Sequence, residues 1–213
     1  MNILLLDGLP EEYEGIPISA DFRNMIQVDL ILNDPDINDI EKTIASLYQL
    51  YPEIPQDIPK AIKGLEWFYS RGKDLSTEEA DLQNKNAPNQ KKAFDFNQDA
   101  NYIYAAFYAT YNISLTTIDF LHWWEFMALF EGLPETTLIQ RIIYWRTADV
   151  SKMDKQERSY VLKMRKQFEL VEPNSKKLTL EELNQQTKDR VARRFAEAEA
   201  AVRQELKQEK PPI

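Results

Sequence analysis

The sequence predicts a mainly α protein: a compact multi-helix bundle with a small N-terminal β-hairpin and a long C-terminal amphipathic helix. Apolar residues recur every three or four positions through most of residues 21–172. Capping residues and prolines lie at the ends of these runs, as they do at the ends of helices. Hydrophobic residues make up 43% of the 213 positions, enough for a core whose burial offsets the entropy lost on folding.

The first twenty residues are predicted to be an extended or hairpin segment. An apolar run occupies positions 2–6, and Glu14-Gly15 separates Tyr13 from the apolar residues at 16–18, which indicates a short turn. Pro17 cannot donate to a strand ladder, so we expect this piece at a sheet edge or a strand end.

Three helices are predicted to follow. Ser19 or Asp21 can cap the first, Asp36 the second and Asp57 the third, and Asp34-Pro35 ends the first. On the first helix Phe22, Met25, Asp29 and Leu32 share one stripe, which Ile26 and Leu30 widen. The stripes of the other two consist of Ile37, Ile40, Ile44, Leu47 and Tyr51, and of Ile58, Ile62, Leu65 and Phe68.

The second half of the body follows a break in the helical pattern. The polar stretch 83–92 is predicted to be an exposed loop. Four more helices are predicted, at about 96–111, 116–131, 135–147 and 155–169. The second of these is apolar nearly all round, which is typical of a helix in the middle of a domain.

The composition changes after Pro173. Residues 174–210 carry nine Lys/Arg and seven Asp/Glu, near +2, whereas residues 1–173 carry seventeen and twenty-eight, near -11. Apolar spacing predicts a long amphipathic helix over 173–213, with a thin stripe suited to docking on the body, another copy of the chain or a partner. The predicted partner-binding residues are Leu183, Val191, Phe195, Val202 and Leu206.

The formal net charge of -9 argues against nucleic acid and against an anionic membrane surface as partners. The chain contains no cysteine, which excludes disulfides, thiolate metal sites and a thiol nucleophile. No apolar stretch approaches the roughly 18 residues of a membrane span, and residues 3–6 are too short for a signal-peptide core. We therefore expect the protein to remain in the compartment where it is made.

The single histidine, His122, lies in the pattern Asp119-x-x-His122-x-x-Glu125, which would place three titratable groups on one helical face. Di-iron bundles use Glu-x-x-His, but they need this motif twice together with two further glutamates. The chain has no second histidine. We therefore favour a core histidine hydrogen-bonded beside Trp123 and Trp124.

Asp95 and Asp99 lie four residues apart at a predicted helix start. They could form a carboxylate pair for acid–base chemistry or a divalent cation, but favourable interaction with the helix dipole explains them without chemistry. Neither a phosphate-binding glycine loop nor a nucleophile elbow occurs in the sequence. We expect no catalytic residue, cofactor or metal, and we expect the aromatic side chains to pack in the core.

Two stretches resemble the signatures of the bacteriophage gene-product-fifteen (Gp15) family of tailed phages and prophages. They are FDFNQDANYIYAAF at 94–107 and LHWWEFMALFEGL at 121–133. Shorter stretches at 18–23, 58–61, 67–73 and 144–153 agree in order and spacing. The resemblance covers about residues 9–172 and leaves out the segment after Pro173.

The resemblance implies a role in tail morphogenesis, because genes of this family lie near the tape-measure gene of long-tailed phages of Gram-positive hosts. The leading hypothesis is a chaperone that binds the tape-measure protein, or other tail proteins, in the host cytoplasm and is absent from the mature virion. Self-association is also expected. The alternative is a structural tail component, a tube or completion protein. A metal-dependent enzyme using Asp95, Asp99 or Glu125 is a remote alternative.

Overall fold

A computed structural model describes residues 8–72 and 92–171 and confirms the mainly helical class with its N-terminal hairpin. The two strands are β1 (Glu12–Tyr13) and β2 (Ile16–Pro17). The helices of the described ranges are α1 (Phe22–Leu32), α2 (Asp39–Leu50), α3 (Ile58–Tyr69), α4 (Ala100–Tyr111), α5 (Trp123–Glu131), α6 (Leu138–Thr147) and α7 (Lys155–Gln167), with a 3₁₀ helix at Val150–Lys152. The predicted helix over 173–213 and all of the predicted loop except Lys92 lie outside these ranges.

The hairpin turns at Glu14 and Gly15, as predicted. Both residues have positive φ angles, 47° and 80°, the conformation that two-residue hairpins favour. The Tyr13 side chain of β1 packs against Trp67 of α3, with ring centroids 5.2 Å apart. A Cβ at Gly64 of α3 would overlap the Tyr51 hydroxyl and lie 2.7 Å from the Tyr13 ring. Glycine at this position therefore lets both tyrosines approach the helix.

Asp21 and Asp57 cap α1 and α3, as the sequence predicted. The Asp21 carboxylate accepts a hydrogen bond of 2.9 Å from the Arg23 amide, and Asp57 accepts one of 3.1 Å from the Lys60 amide. The predicted cap of α2 was wrong, because Asp36 lies among the turns before the helix and α2 begins at Asp39. Acidic residues in that first turn interact favourably with the helix dipole.

The predicted start of α5 at residue 116 was also wrong. Residues 115–117 form a turn, and a β-bridge pairs Asp21 with His122. Leu121 accepts from the Phe22 amide, and the Trp123 amide donates to Ala20, each at 2.9 Å. These long-range bonds use backbone groups that a helix would need, so α5 begins only at Trp123.

The predicted starts of α4 and α6 were several residues early. Turns occupy residues 96–99 and 135–137 before these helices begin at Ala100 and Leu138. Both turns contain backbone bonds to acceptors three or four residues back, as at Asp99 and Thr137. Such turns share the local spacing of a helix, which explains why periodicity did not separate them.

Aromatic side chains fill the centre of the main core, as predicted. Phe126 of α5 is fully buried and stacks on Phe22 at 4.9 Å and on Phe107 at 5.0 Å between ring centroids. Trp123 and Phe130 extend the same cluster along α5. The cluster therefore joins α1, α4 and α5 through offset and stacked rings that add to the free energy of burial.

A smaller cluster lies between α6 and α7. Val161 is the one buried residue of α7, and it shares this cluster with Ile142 and Trp145 of α6. The guanidinium group of Arg165 donates to the carbonyls of Trp145 and Ala148 at 2.7 and 2.6 Å. Arg165 therefore satisfies carbonyls at the C-terminus of α6, where a helix leaves them without helical partners.

Candidate interaction surface

His122 is a buried residue at the N-terminus of α5. Its Nδ1 accepts from the Trp124 amide at 3.0 Å, which caps α5, and its Nε2 lies 3.0 Å from the Pro10 carbonyl. Because a carbonyl can only accept, Nε2 carries the hydrogen, which corresponds to the neutral ring. Burial lowers the pKa of His122, although the Pro10 bond and the charges of Glu125 and Glu11 oppose it. The expectation of a core histidine beside the tryptophans is confirmed.

Asp99 lies at the N-cap of α4, as the sequence predicted for a helix start, and it also forms a buried ion pair that the sequence did not predict. Its two oxygens accept from the two terminal nitrogens of Arg146 at 2.6 and 2.9 Å. Arg146 also donates to the carbonyls of Ala93 and Phe168, so its charge is fully engaged. Because Asp99 and Arg146 are 47 residues apart in the sequence, no local pattern predicted this pair.

Asp95 stabilises the turn before α4. It accepts from the amides of Asn97 and Gln98 at 2.9 Å and pairs with Lys92 at 2.7 Å. Burial alone would raise the pKa of Asp95, but these hydrogen bonds lower it below its usual value. The Asp95 carboxylate therefore binds the turn and Lys92, whereas the Asp99 carboxylate binds Arg146 and the Asp95 amide.

A third buried polar contact joins α1 to α3. The Tyr69 hydroxyl donates to Asp29 at 2.6 Å. Burial, together with the charge of Asp29, raises the pKa of Tyr69 far above its ordinary value. The hydroxyl therefore stays protonated and remains a donor to the carboxylate.

The described ranges, 8–72 and 92–171, contain no group of three His, Asp or Glu residues arranged to hold a metal ion. In the same ranges no helix combines the length and apolarity needed to cross a membrane.

The outward face of α2 carries a row of apolar side chains, Ile40, Ile44 and Tyr48, which we name the α2 stripe. Their exposed fractions are 73%, 48% and 67%. The sequence placed Ile40 and Ile44 on one apolar stripe with Leu47, but in the structure Leu47 is buried and the other two are exposed. The helix is apolar on two faces. Tyr48, four residues after Ile44, continues the spacing of Ile40 and Ile44 and indicates the second apolar face in the sequence.

The outward face of α7 is basic. We name Lys155, Arg158, Lys163 and Lys166, together with the exposed Leu162, the α7 face. None of its four cations pairs with a carboxylate within the described part of the chain. A helix face with four cations is unexpected on a chain whose net charge is -9.

The predicted partner-binding residues of the C-terminal helix lie outside the described residues. They are Leu183, Val191, Phe195, Val202 and Leu206. They remain predictions of the sequence.

The bacteriophage Gp15 protein model matches residues 5–170, which include every described helix. The chain belongs to the bacteriophage Gp15 family. The Gp15 family indicates a phage structural or morphogenesis protein that interacts with other phage proteins. Comparison with curated proteins and with solved structures gives no match.

The two Gp15 signatures recognised in the sequence build the core. The first, 94–107, supplies Phe96, Asp99 and Phe107, and the second, 121–133, contains α5 and its histidine cap. The α2 stripe lies outside both signatures, although the matched range includes it.

Proposed function

We propose that this Gp15 family member is a chaperone of phage tail assembly that binds the tape-measure protein before the tail tube polymerises. The observation that carries the proposal is the α2 stripe, a row of exposed apolar side chains at i, i+4 and i+8 on one helix. Contiguous exposed apolar side chains commonly mark sites of protein–protein interaction.

The expected client suits such a surface. A tape-measure protein is long and helical, and its amphipathic helices expose apolar faces before the tube encloses them. Helices of this kind bind partners through anchors spaced three, four and seven residues apart. The α2 stripe supplies a row of matching spacing, and the net charge of -9 would steer a basic client toward the chain.

We also propose that the protein is not an enzyme. The titratable residues suspected of chemistry, His122, Asp95 and Asp99, each take part in contacts that stabilise the fold. Glu125 lies in the first turn of α5, where a carboxylate interacts favourably with the helix dipole.

Co-expression with the tape-measure protein of the same phage tests the proposal. The wild-type chain is expected to co-purify with the tape-measure protein and to raise its soluble fraction. The stripe variant, Ile40→Ser/Ile44→Ser/Tyr48→Ser, is expected to lose co-purification, because the substitutions remove the apolar anchors without changing charge. The amount of soluble tape-measure protein is measured by quantitative immunoblot.

The matched control is Tyr108→Ser/Phe120→Ser, which removes two exposed aromatic rings from other parts of the surface. This control variant should bind the client as the wild type does. Equal binding by the stripe variant and the wild type, or no binding by the wild type, would contradict the proposal.

The second candidate, a structural tail component, is less well supported. Tail tubes close through β-sheets, and the described residues contain a single hairpin with two residues in each strand. Mass spectrometry of purified virions separates the two functions. A chaperone acts in the host cytoplasm and should be absent from virions, whereas a structural component should be present in a fixed number of copies.

A further inference from the structure

α7 packs on α6 through a small apolar contact that is separate from the main core. Val161, the one buried residue of α7, packs with Ile142 and Trp145 of α6 in the smaller cluster. Phe168, which follows α7, stacks on Trp145 with ring centroids 5.4 Å apart. Because little apolar surface holds α7, the free energy of undocking this helix should lie well below that of global unfolding.

Two further contacts hold the residues that follow α7. The Nε of Arg146 donates to the Phe168 carbonyl at 2.8 Å. The side chain of Gln98, before α4, exchanges hydrogen bonds of 2.9 and 2.8 Å with the backbone of Val171. The Gln98 bonds are exposed, so water replaces them at little cost when the segment moves away.

α6 has its own anchors to the main core. Ile139 is fully buried there, and the two terminal nitrogens of Arg146 bind the Asp99 carboxylate. Only the third nitrogen, Nε, bonds to Phe168, so α7 can leave without breaking the buried ion pair. The apolar surface of α6 under α7 therefore keeps its position after undocking.

We infer that α7 is an internal occupant of a helix-binding surface on α6, formed by Ile142 and Trp145, which we name the α6 seat. α7 undocks while the main core stays folded, and the free seat accepts a helix of another protein. The α7 helix is thus an autoinhibitory element. The α6 seat and the α2 stripe lie on different helices, so this inference goes beyond the proposed function and does not depend on it.

α7 itself shows which helix fits the seat. It presents Val161, Met164 and Phe168 to the smaller cluster, at i, i+3 and i+7, the spacing of anchors that bind a groove. Arg165, at i+4, donates to two carbonyls at the C-terminus of α6, the negative end of the helix dipole. The partner is therefore an amphipathic helix with three large apolar residues at this spacing and an arginine beside them.

Native-state hydrogen exchange on the full chain tests the undocking. Amides 160–167 of α7 should show opening constants at least about tenfold larger than amides 127–131 of α5. Val161→Ser/Phe168→Ser, the undocking variant, should raise the α7 constants at least about tenfold further and leave those of α5 unchanged. The matched control, Leu162→Ser/Val171→Ser, replaces two exposed apolar side chains of the same segment and should exchange as the wild type does.

A synthetic peptide of residues 153–171, labelled with fluorescein, tests the seat by fluorescence anisotropy. It should bind the undocking variant at least about tenfold more tightly than the wild type, whose seat is occupied by its own α7. The same peptide with Phe168→Ser should bind neither protein. Trp145→Ala added to the undocking variant should abolish binding of the unchanged peptide. Circular dichroism checks that each variant keeps a cooperative unfolding transition.

Two results would overturn the inference. One is a single opening constant for the amides of α7 and α5, as global unfolding alone would give. The other is a peptide that binds the wild type and the undocking variant equally, or binds neither. The co-expression experiment is separate: a chain with an open α6 seat that fails to bind the tape-measure protein would contradict the proposed function and leave this inference intact.

Discussion

α5 and α7 differ in how many of their residues are buried and in how many are charged. Four of the nine residues of α5 are buried, and all four are aromatic. One of the thirteen residues of α7, Val161, is buried, and the helix carries five cations against one carboxylate. The neighbours that α5 packs against therefore determine its position. Most side chains of α7 instead lie on the protein surface.

This difference predicts where a substitution will change the stability of the fold and where it will change binding. In the core the buried polar groups are enclosed and hydrogen-bonded, as at His122 and at the Asp99–Arg146 pair. On α7 and on the outward side of α2 the side chains have space around them, so changes there should alter binding and leave folding intact.

The largest expected effect is at the centre of the aromatic cluster. Phe126→Ala should lower the free energy of unfolding by about 3–5 kcal/mol, because it leaves a cavity among five other rings. Phe120→Ala, at a side chain that is 51% exposed, should cost less than about 1 kcal/mol. Urea unfolding followed by tryptophan fluorescence measures both. Equal losses would remove the contrast between core and surface.

Breaking the buried ion pair should have an effect of similar size. Arg146→Met leaves the Asp99 carboxylate buried without its partner and should cost about 3 kcal/mol or more. The double variant Asp99→Asn/Arg146→Met should be less destabilised than the sum of the two single variants, because no charge is left alone. Strict additivity in the same unfolding assay would mean that the two residues do not act as a pair.

A smaller loss is expected where the hairpin meets α3. Gly64→Ala adds a methyl group against the Tyr51 hydroxyl and the Tyr13 ring, which should destabilise by about 1–3 kcal/mol despite the better helix propensity of alanine. In a Tyr51→Phe background the same substitution should cost less, since one of the two overlaps is gone. A Gly64→Ala protein that unfolds at a higher temperature than the wild type would refute the close approach.

The smallest effect concerns pH. Because burial lowers the pKa of His122 in the folded protein, the unfolded chain takes up the proton first as the pH falls below about 6.5. The free energy of unfolding should then fall by at most about 1.4 kcal/mol per pH unit, and should be unaffected by this residue above pH 7. His122→Gln should lack this slope between pH 6.5 and 5. Identical slopes in the two proteins would show that the histidine titrates normally.

Local patterns predicted much of the fold because local physics determines them. Asp21 and Asp57 were recognised as caps, since a cap depends on the next three residues, and the turn at Glu14-Gly15 was recognised from its glycine. The start of α5 could not be predicted from periodicity, because the bridge between Asp21 and His122 joins residues about 100 positions apart.

The candidate surface shows the same division. Spacing placed Ile40 and Ile44 on an apolar helix, but only the packing of α1 and α3 against α2 decides which of its two apolar faces is inside. The basic residues of α7 were visible in the sequence. That they lack carboxylate partners in the described ranges is a property of the folded arrangement.

The sequence by itself determined the helical class, the hairpin, the aromatic character of the core and the resemblance to the Gp15 family, because composition, spacing and signatures are read directly along the chain. Tertiary structure alone decided the partner of Asp99, the late start of α5 and the outward direction of the α2 stripe. Each of these depends on contacts between segments far apart in sequence. No local propensity contains that information.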